Sequence, residues 1–393
     1  KNFKISDFEK IFNCTLFKNL NLGLDPKLFT SYQIKNFFLK YNKIKFINKN
    51  LIDEIHSNYK TFDKPFYSLN EKIVGESSKT KILKIKNILN KVKSNYLFIS
   101  APENIAWLLN IRGFDNPFSP IPNCRLLISK KAIFIICEKE KLKKLIKLKK
   151  IKKKEIIDPK EFDSFFKNIN GNKIIIDKNT CSVHYENILN KNFKTIIKDD
   201  PIYFLKSIKN KTEIKNMIDT HIADGVALTK FIFWIKNINK KKITEVDAQN
   251  KLESLRKLNN KYLFPSFNTI AGSGKNGAIV HYRATKKNTK FIRKDEIFLC
   301  DSGGQYKYGT TDVTRTLCFS NPSEKIKKIF TKVLKGHIAV VSADLDKHKN
   351  GKLIDKEARK FLKKEGLDYN HGTGHGVGFF LNVHEGPQAI SKN

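Results

Sequence analysis

Two aspartates and a run of histidines are the residues best suited to chemistry in this chain. Asp301 closes the apolar stretch EIFLC and Asp312 opens TDVTRTLCF, so GGQYKYG between them reads as the turn of a hairpin. A hairpin of that length brings both carboxylates to one place, where they repel unless a cation lies between them. Hard oxygen donors completed by imidazole suit Mn, Co or Zn better than Cu(I), so a divalent metal site is the natural inference. Either aspartate alone is an ordinary turn or cap residue. Only the pair points to a cation.

His371, His375 and His384 fall within HGTGHGVGFFLNVHEGP, in a chain holding only 9 histidines. One histidine alone reads as a satisfied surface or core residue, and a glycine run alone as a flexible loop. Together, the glycines leave room for backbone to approach a ligand that the imidazoles hold. They do not make a phosphate cradle, because no Lys-Ser/Thr follows them. His281 follows the run GAIV and is expected at a strand end, as a proton shuttle or substrate-orienting group.

The elements that must position these residues are of mixed α/β (α+β) type. Ile82, Leu83, Ile85, Ile88, Leu89 and Val92 follow a 3.6-residue period, and YLFIS (Tyr96 to Ser100) then reads as a strand. Further strands are expected at Leu126 to Ser129 and Ala132 to Cys137, joined through Lys130 and Lys131, and at Lys173 to Asp177. Lys139 to Lys154 reads as one amphipathic helix with Leu142, Leu145 and Ile146 inward. A long helix is expected from Lys211 to about Asn237, with Ile214, Ile218, Ile222, Val226 and Phe231 as its apolar face.

Composition narrows the class. At 393 residues the chain is expected to make two or three domains. Hydrophobic residues make up 40% and charged residues 29%. No apolar run reaches the roughly 18 to 20 residues of a membrane-spanning helix, so no membrane partner is expected. The six cysteines (Cys14, Cys124, Cys137, Cys181, Cys300, Cys318) lack CxxC spacing, and several sit in apolar runs. They read as buried thiols of a reducing, cytoplasmic compartment. A net charge of +38 invites nucleic acid, but only seven of the 76 basic residues are arginine, the residue groove readers rely on. The lysines are spread among abundant Asn, Ile and Phe, and no nucleic-acid partner is expected. Because the chain opens at Lys1 and holds one Met, Met217, it reads as a fragment.

Taken in order, GSGKNGAIVHYRAT (Gly272 to Thr285), DSGGQYKYGTTDVTRT (Asp301 to Thr316) and HGTGHGVGFFLNVHEGP (His371 to Pro387) resemble the aminopeptidase P branch of the pita-bread metallopeptidases. SAPENIAWLLNIRG (Ser100 to Gly113) resembles the start of that family's second domain, and GLDP with the later GES the end of its first. The resemblance implies three domains. Residues 1–75 would be the C-terminal part of a first creatinase-like N-terminal α/β domain and 76–203 a second. Residues 204–393 would be the pita-bread catalytic domain, a curved, mainly antiparallel sheet backed by helices.

It also implies a metal-dependent aminopeptidase that hydrolyses the N-terminal Xaa-Pro bond of peptides with proline second, in a subunit commonly paired as a homodimer. Two divalent ions, typically Mn with Zn or Co as alternatives, would activate a hydroxide. By motif position Asp301, Asp312 and His375 are implied as metal ligands, with Asp312 bridging. His281, His371 and His384 are implied as the histidines that steady the substrate and the tetrahedral intermediate. The family's two remaining ligands are glutamates on later strands, one of them also serving proton transfer. Neither strand is among these 393 residues, and Glu385 matches a non-ligand position, so this polypeptide is expected to be inactive. Lys275 stands where the family often has proline or a small residue. The IAWLLNIRG stretch favours aminopeptidase P over a prolidase or methionine aminopeptidase on the same fold. The alternative reading is a non-catalytic module of this fold that binds peptide or protein; the presence of all three ligands expected within this span argues against it.

Overall fold

The computed structural model describes residues 18–40, 42–47, 49–55, 64–239 and 243–392, which gather into two compact units. The first takes the residues up to 70 together with 76–115 and 121–203, so the stretches expected as two N-terminal domains lie in one unit. The second takes 71–75, 116–120 and everything from 204 onward.

The first unit opens with a parallel pair, β1 (Asn21–Leu24) and β2 (Lys43–Phe46). Leu24, Ile34 and Phe38 there share a small core with Val183. After α1 (Ser78–Lys91) comes a six-stranded sheet of β3 (Tyr96–Ile99), β4 (Arg125–Ser129), β5 (Ile133–Ile136), β6 (Ile156–Ile157), β7 (Lys173–Asp177) and β8 (Lys194–Lys198), in spatial order β8-β7-β3-β4-β5-β6. Strands such as YLFI are unbroken apolar runs: Leu97, Phe98 and Ile99 are all buried, as expected where both faces of a sheet are covered.

One expectation here needs correction. The helix read across 139–154 is only α2 (Lys139–Lys147), followed by a separate 3-10 turn at Lys153–Glu155. Leu142 and Leu145 are its buried anchors, Leu148 is exposed and Lys149 turns left-handed at φ 54°. Ile151 is buried, but only after the chain has left the helix at Lys149, so the core takes it from a separate turn and not from a continued helical face. Cys124, Cys137, Cys181 and Cys300 are buried free thiols and Cys318 is half-buried, while Cys14 lies outside the described residues.

The second unit contains α3 (Lys211–Asn237) and α4 (Glu245–Arg256), then β9 (Tyr262–Pro265), β10 (Ile270–Ser273), β11 (Ile297–Ser302), β12 (Gly304–Tyr306), β13 (Gly309–Thr310) and β14 (Val313–Cys318). Helices α5 (Glu324–Val341) and α6 (Gly351–Lys363) and the ribbon of β15 (Gly374–Gly376) with β16 (Glu385–Ile390) complete it. Its strands pair antiparallel throughout the described residues. None of the described helices is long and apolar enough to cross a membrane.

Helix α3 begins where expected because Asn210 and Glu213 form a capping box. Its buried face differs from expectation: Ile214, Ile218, Ile222 and Val226 are exposed, and of the five only Phe231 is buried. The helix turns inward Thr220, Asp224, Ala227, Leu228, Phe231 and Ile235 instead. Asp224 decides the rotation. Its carboxylate takes Arg256 Nε of α4 at 2.7 Å and the Tyr306 hydroxyl at 2.7 Å, and Arg256 Nη2 also donates to Ser302 Oγ at 3.0 Å. A buried polar network of this kind is invisible to hydropathy alone.

Strand β11 alternates. Phe298 and Cys300 join the core of α3 and α4, and Ser302 meets Arg256 on the same side. Leu299 and Asp301 therefore point to the opposite face.

Candidate metal centre

Asp301 enters the site through that alternation. In register it faces Thr314 of β14, whose hydroxyl donates to Asp301 Oδ1 at 2.7 Å. Asp312 lies just before β14. The stretch between the aspartates, read as a simple turn, is a second ribbon: β12 pairs with β9 and with β13. It folds back tightly because Gly303 lacks a Cβ, which would run into Thr311 O and Ser266 Oγ.

The β15–β16 ribbon supplies two histidines. His375 stands opposite Ala389, a bulge follows, and Gly376 then faces Glu385, where a Cβ would overlap the Glu385 carbonyl. Glu385 is buried and its carboxylate is held by Lys206 Nζ at 2.9 Å and by Lys209. His384 stands next to this anchored residue.

These elements bring Asp312, His375 and His384 together, with one ligand atom from each inside 4.8 Å of the others. His375 Nε2 is 3.2 Å from Asp312 Oδ2, and the His375 and His384 rings meet edge-on at 4.3 Å. Asp301 lies outside this trio but is coupled to it: burial first, and then the Asp312 charge, push its carboxyl above the ordinary range. The hydrogen bond with Asp312 raises His375, while burial and then His375 hold His384 down. Two half-buried carboxylates, Asp301 and Asp312, beside the His375 imidazole form a mixed oxygen and nitrogen donor set that fits divalent cations.

Tyr282, next to His281, packs with Leu299, which shares a strand face with Asp301, so the segment carrying His281 lies on the side of the metal ligands. The expectation of a strand end for it is corrected: β10 stops at Ser273, a 3-10 turn covers Gly274–Ala278, and His281 sits in a turn at φ 57°. His371 is placed otherwise. Arg359 Nη2 donates to its carbonyl at 2.7 Å and its ring lies 4.7 Å from Tyr369; no described contact joins it to the other five residues.

Sequence reasoning passed over the residues beneath the site: Asp224 with Arg256, Lys206 and Lys209 with Glu385, and Glu245 under the 273–290 loop. The TEVD box (Thr244 to Asp247) signals only a helix start.

An antiparallel-sheet unit backed by helices, with aspartates and histidines converging on one face, is the architecture of a pita-bread metallopeptidase. The family model for Metallopeptidase family M24 matches residues 215–393 and that for the Creatinase/Prolidase N-terminal domain matches 60–213. Residues 215–393 thus carry a domain of the M24 metallopeptidase family, preceded by a creatinase/prolidase N-terminal domain.

It is 37% identical over 401 residues to a protein of Paracoccidioides brasiliensis named probable Xaa-Pro aminopeptidase P, covering 94% of this chain and 64% of that protein. It is 34% identical over 415 residues to Aminopeptidase P2 of Arabidopsis thaliana, covering 94% and 58%. Among solved structures, an X-prolyl aminopeptidase of Caenorhabditis elegans, described as a cytosolic enzyme with a di-nuclear active site, superposes with a TM-score of 0.86 at 28% identity, over 100% of this chain and 66% of that one. The chain thus spans roughly three fifths of the length of these curated relatives.

Proposed function

We propose that this protein removes the N-terminal residue from peptides whose second residue is proline. The observation that carries the reading is the convergence of Asp312, His375 and His384 within 4.8 Å, with Asp301 beside them. Asp301, Asp312 and His375 would hold the cations. Two divalent ions bound there, Mn being the first choice with Zn or Co suited to the same donors, supply Lewis acidity toward water and the scissile carbonyl.

The chain's own residues do the rest. His384, kept neutral by burial and by its neighbour His375, donates a hydrogen bond to the carbonyl oxygen as negative charge develops there. One such donor is worth about 3 kcal/mol of barrier. His281, on the same face, orients the substrate and passes a proton. His371, by its motif position, is the other histidine suited to steady the substrate and the tetrahedral intermediate. Localisation in the cytosol suits the buried free thiols and matches the description of the nematode neighbour. A homodimer is the proposed assembly.

The test is release of the first residue from an Xaa-Pro-Pro peptide by the full-length protein with added Mn. Turnover that disappears in Asp312→Ala supports the reading. Peptide binding without cleavage at any metal concentration overturns it and leaves a binding module of the same fold.

A further inference from the structure

Glu245 opens α4 and is wholly buried. No lysine or arginine side chain pairs with its carboxylate among the described residues, and the ammonium of nearby Lys290 goes to Glu296 at 3.0 Å. Burying an unpaired carboxylate is costly unless its lone pairs are filled. Here four donors fill them, one at the end of β10 and three from the connection that follows it. Ser273 N and Asn276 Nδ2 donate to Oε1 at 2.8 and 2.9 Å, and the Tyr282 hydroxyl and Lys290 N donate to Oε2 at 2.9 and 3.2 Å. The start of α4 adds its own partial positive charge.

The loop gathered by this carboxylate is the one that carries His281. Between two of the tied points, Asn276 and Tyr282, His281 adopts a left-handed φ of 57°. That conformation costs a non-glycine residue about 1 kcal/mol or more and persists only where its surroundings impose it. Tyr282 and Ala284 pack in one small cluster with Leu299, and Leu299 shares a strand face with Asp301. The tie therefore sets the loop down on the face that holds the metal ligands.

We propose that Glu245 is a positioning residue for His281: its buried carboxylate draws in the 273–290 loop from four points and forces the histidine into the strained turn that aims it at the substrate. This rests on the peptidase reading of the centre. A carboxylate suits the task and an amide does not, because both oxygens accept two bonds each, whereas the nitrogen of a glutamine would face backbone N–H donors.

The experiment compares Glu245→Gln, His281→Ala, the double variant and the milder Tyr282→Phe in the full-length protein. It measures kcat and KM on an Xaa-Pro-Pro peptide and Mn affinity by calorimetry. Glu245→Gln is expected to lower kcat about 10- to 100-fold. KM and Mn affinity should move about 3-fold or less, because no metal ligand lies on the loop. Tyr282→Phe should fall between Glu245→Gln and the unaltered protein. The double variant should be no worse than His281→Ala alone, because the two act as one unit. Multiplying losses in the double variant, or a fall in Mn affinity parallel to kcat, would overturn the proposal. If the unaltered protein cleaves no such peptide, the peptidase reading falls, and histidine-selective NMR decides the positioning separately. His281 ring signals that shift in Glu245→Gln while those of His371 stay support it; unchanged His281 signals refute it.

Discussion

Removing the Asp224 side chain tests whether the second unit is organised by its buried polar network. Asp224 and Arg256 are each 0% exposed, and one carboxylate oxygen of Asp224 takes both Arg256 Nε and the Tyr306 hydroxyl. In Asp224→Ala the guanidinium loses its counter-charge in a dry site, a loss that costs about 3–5 kcal/mol. The orphaned phenol adds about 1 kcal/mol or more. Together these approach the whole stability of an ordinary domain.

The chain holds 2 tryptophans, Trp107 in the first unit and Trp234 on α3 beside Phe231. In a Trp107→Phe background, Trp234 fluorescence through a urea titration therefore reports the second unit. At about 2 kcal/mol per molar urea, the midpoint should fall by roughly 2 M or more. The double variant Asp224→Leu, Arg256→Met should recover most of that loss, since an apolar pair of similar volume is often neutral in place of a buried ion pair. A single-variant loss below about 1 kcal/mol, or a double variant as unstable as the single, would refute the reasoning.

Three further expectations concern other parts of the chain. Gly303→Ala should destabilise the second unit by about 2 kcal/mol or more, seen as a lower melting temperature, because the added methyl meets the Thr311 carbonyl and the Ser266 hydroxyl. In the first unit, burial raises Asp200 to about 6 from 3.8. The folded state thus binds more protons than the unfolded one between those values, and stability falls as pH rises through that window. Asp200→Asn should flatten this slope in urea titrations at pH 4.5 and 7, and a variant with the parental slope would place its origin elsewhere. Glu385→Gln removes the charge shared by Lys206 and Lys209 under the β15–β16 ribbon, so Mn affinity through His375 should weaken along with stability, the latter by about 3 kcal/mol. Unchanged Mn binding in calorimetry would show that the ribbon holds His375 without the clamp.

Much of the site could be read from local pattern because it is built on local pattern. The period-2 run ending in Asp301, the Asn210 capping box at the head of α3 and the glycines spacing His375 each leave a short-range mark in the sequence. Rotation and depth leave none. The isoleucines of α3 look like a core face until Asp224 is known to meet Arg256, 32 positions on. Glu245 looks like the second letter of a capping box until residues 273, 276, 282 and 290 close over it. His281 looked like a strand end because GAIV is apolar, yet Ile279 and Val280 are exposed and the chain there follows the pull of the buried carboxylate. Patterns of spacing report neighbours along the chain, whereas these choices are set by partners far along it.

The alternation in β11 also limits how the gene can drift. Asp301 serves the cation face and its neighbour Ser302 serves Arg256 on the other, so the strand is read on both sides at once. A single-codon insertion or deletion inside 297–302 would exchange the two, handing the metal a hydroxyl and the buried guanidinium a different partner. Substitutions here can be compensated one face at a time, but changes of length cannot. Length variation among related genes should therefore avoid this strand and collect in exposed connections such as the Asp344–Asn350 turn between α5 and α6.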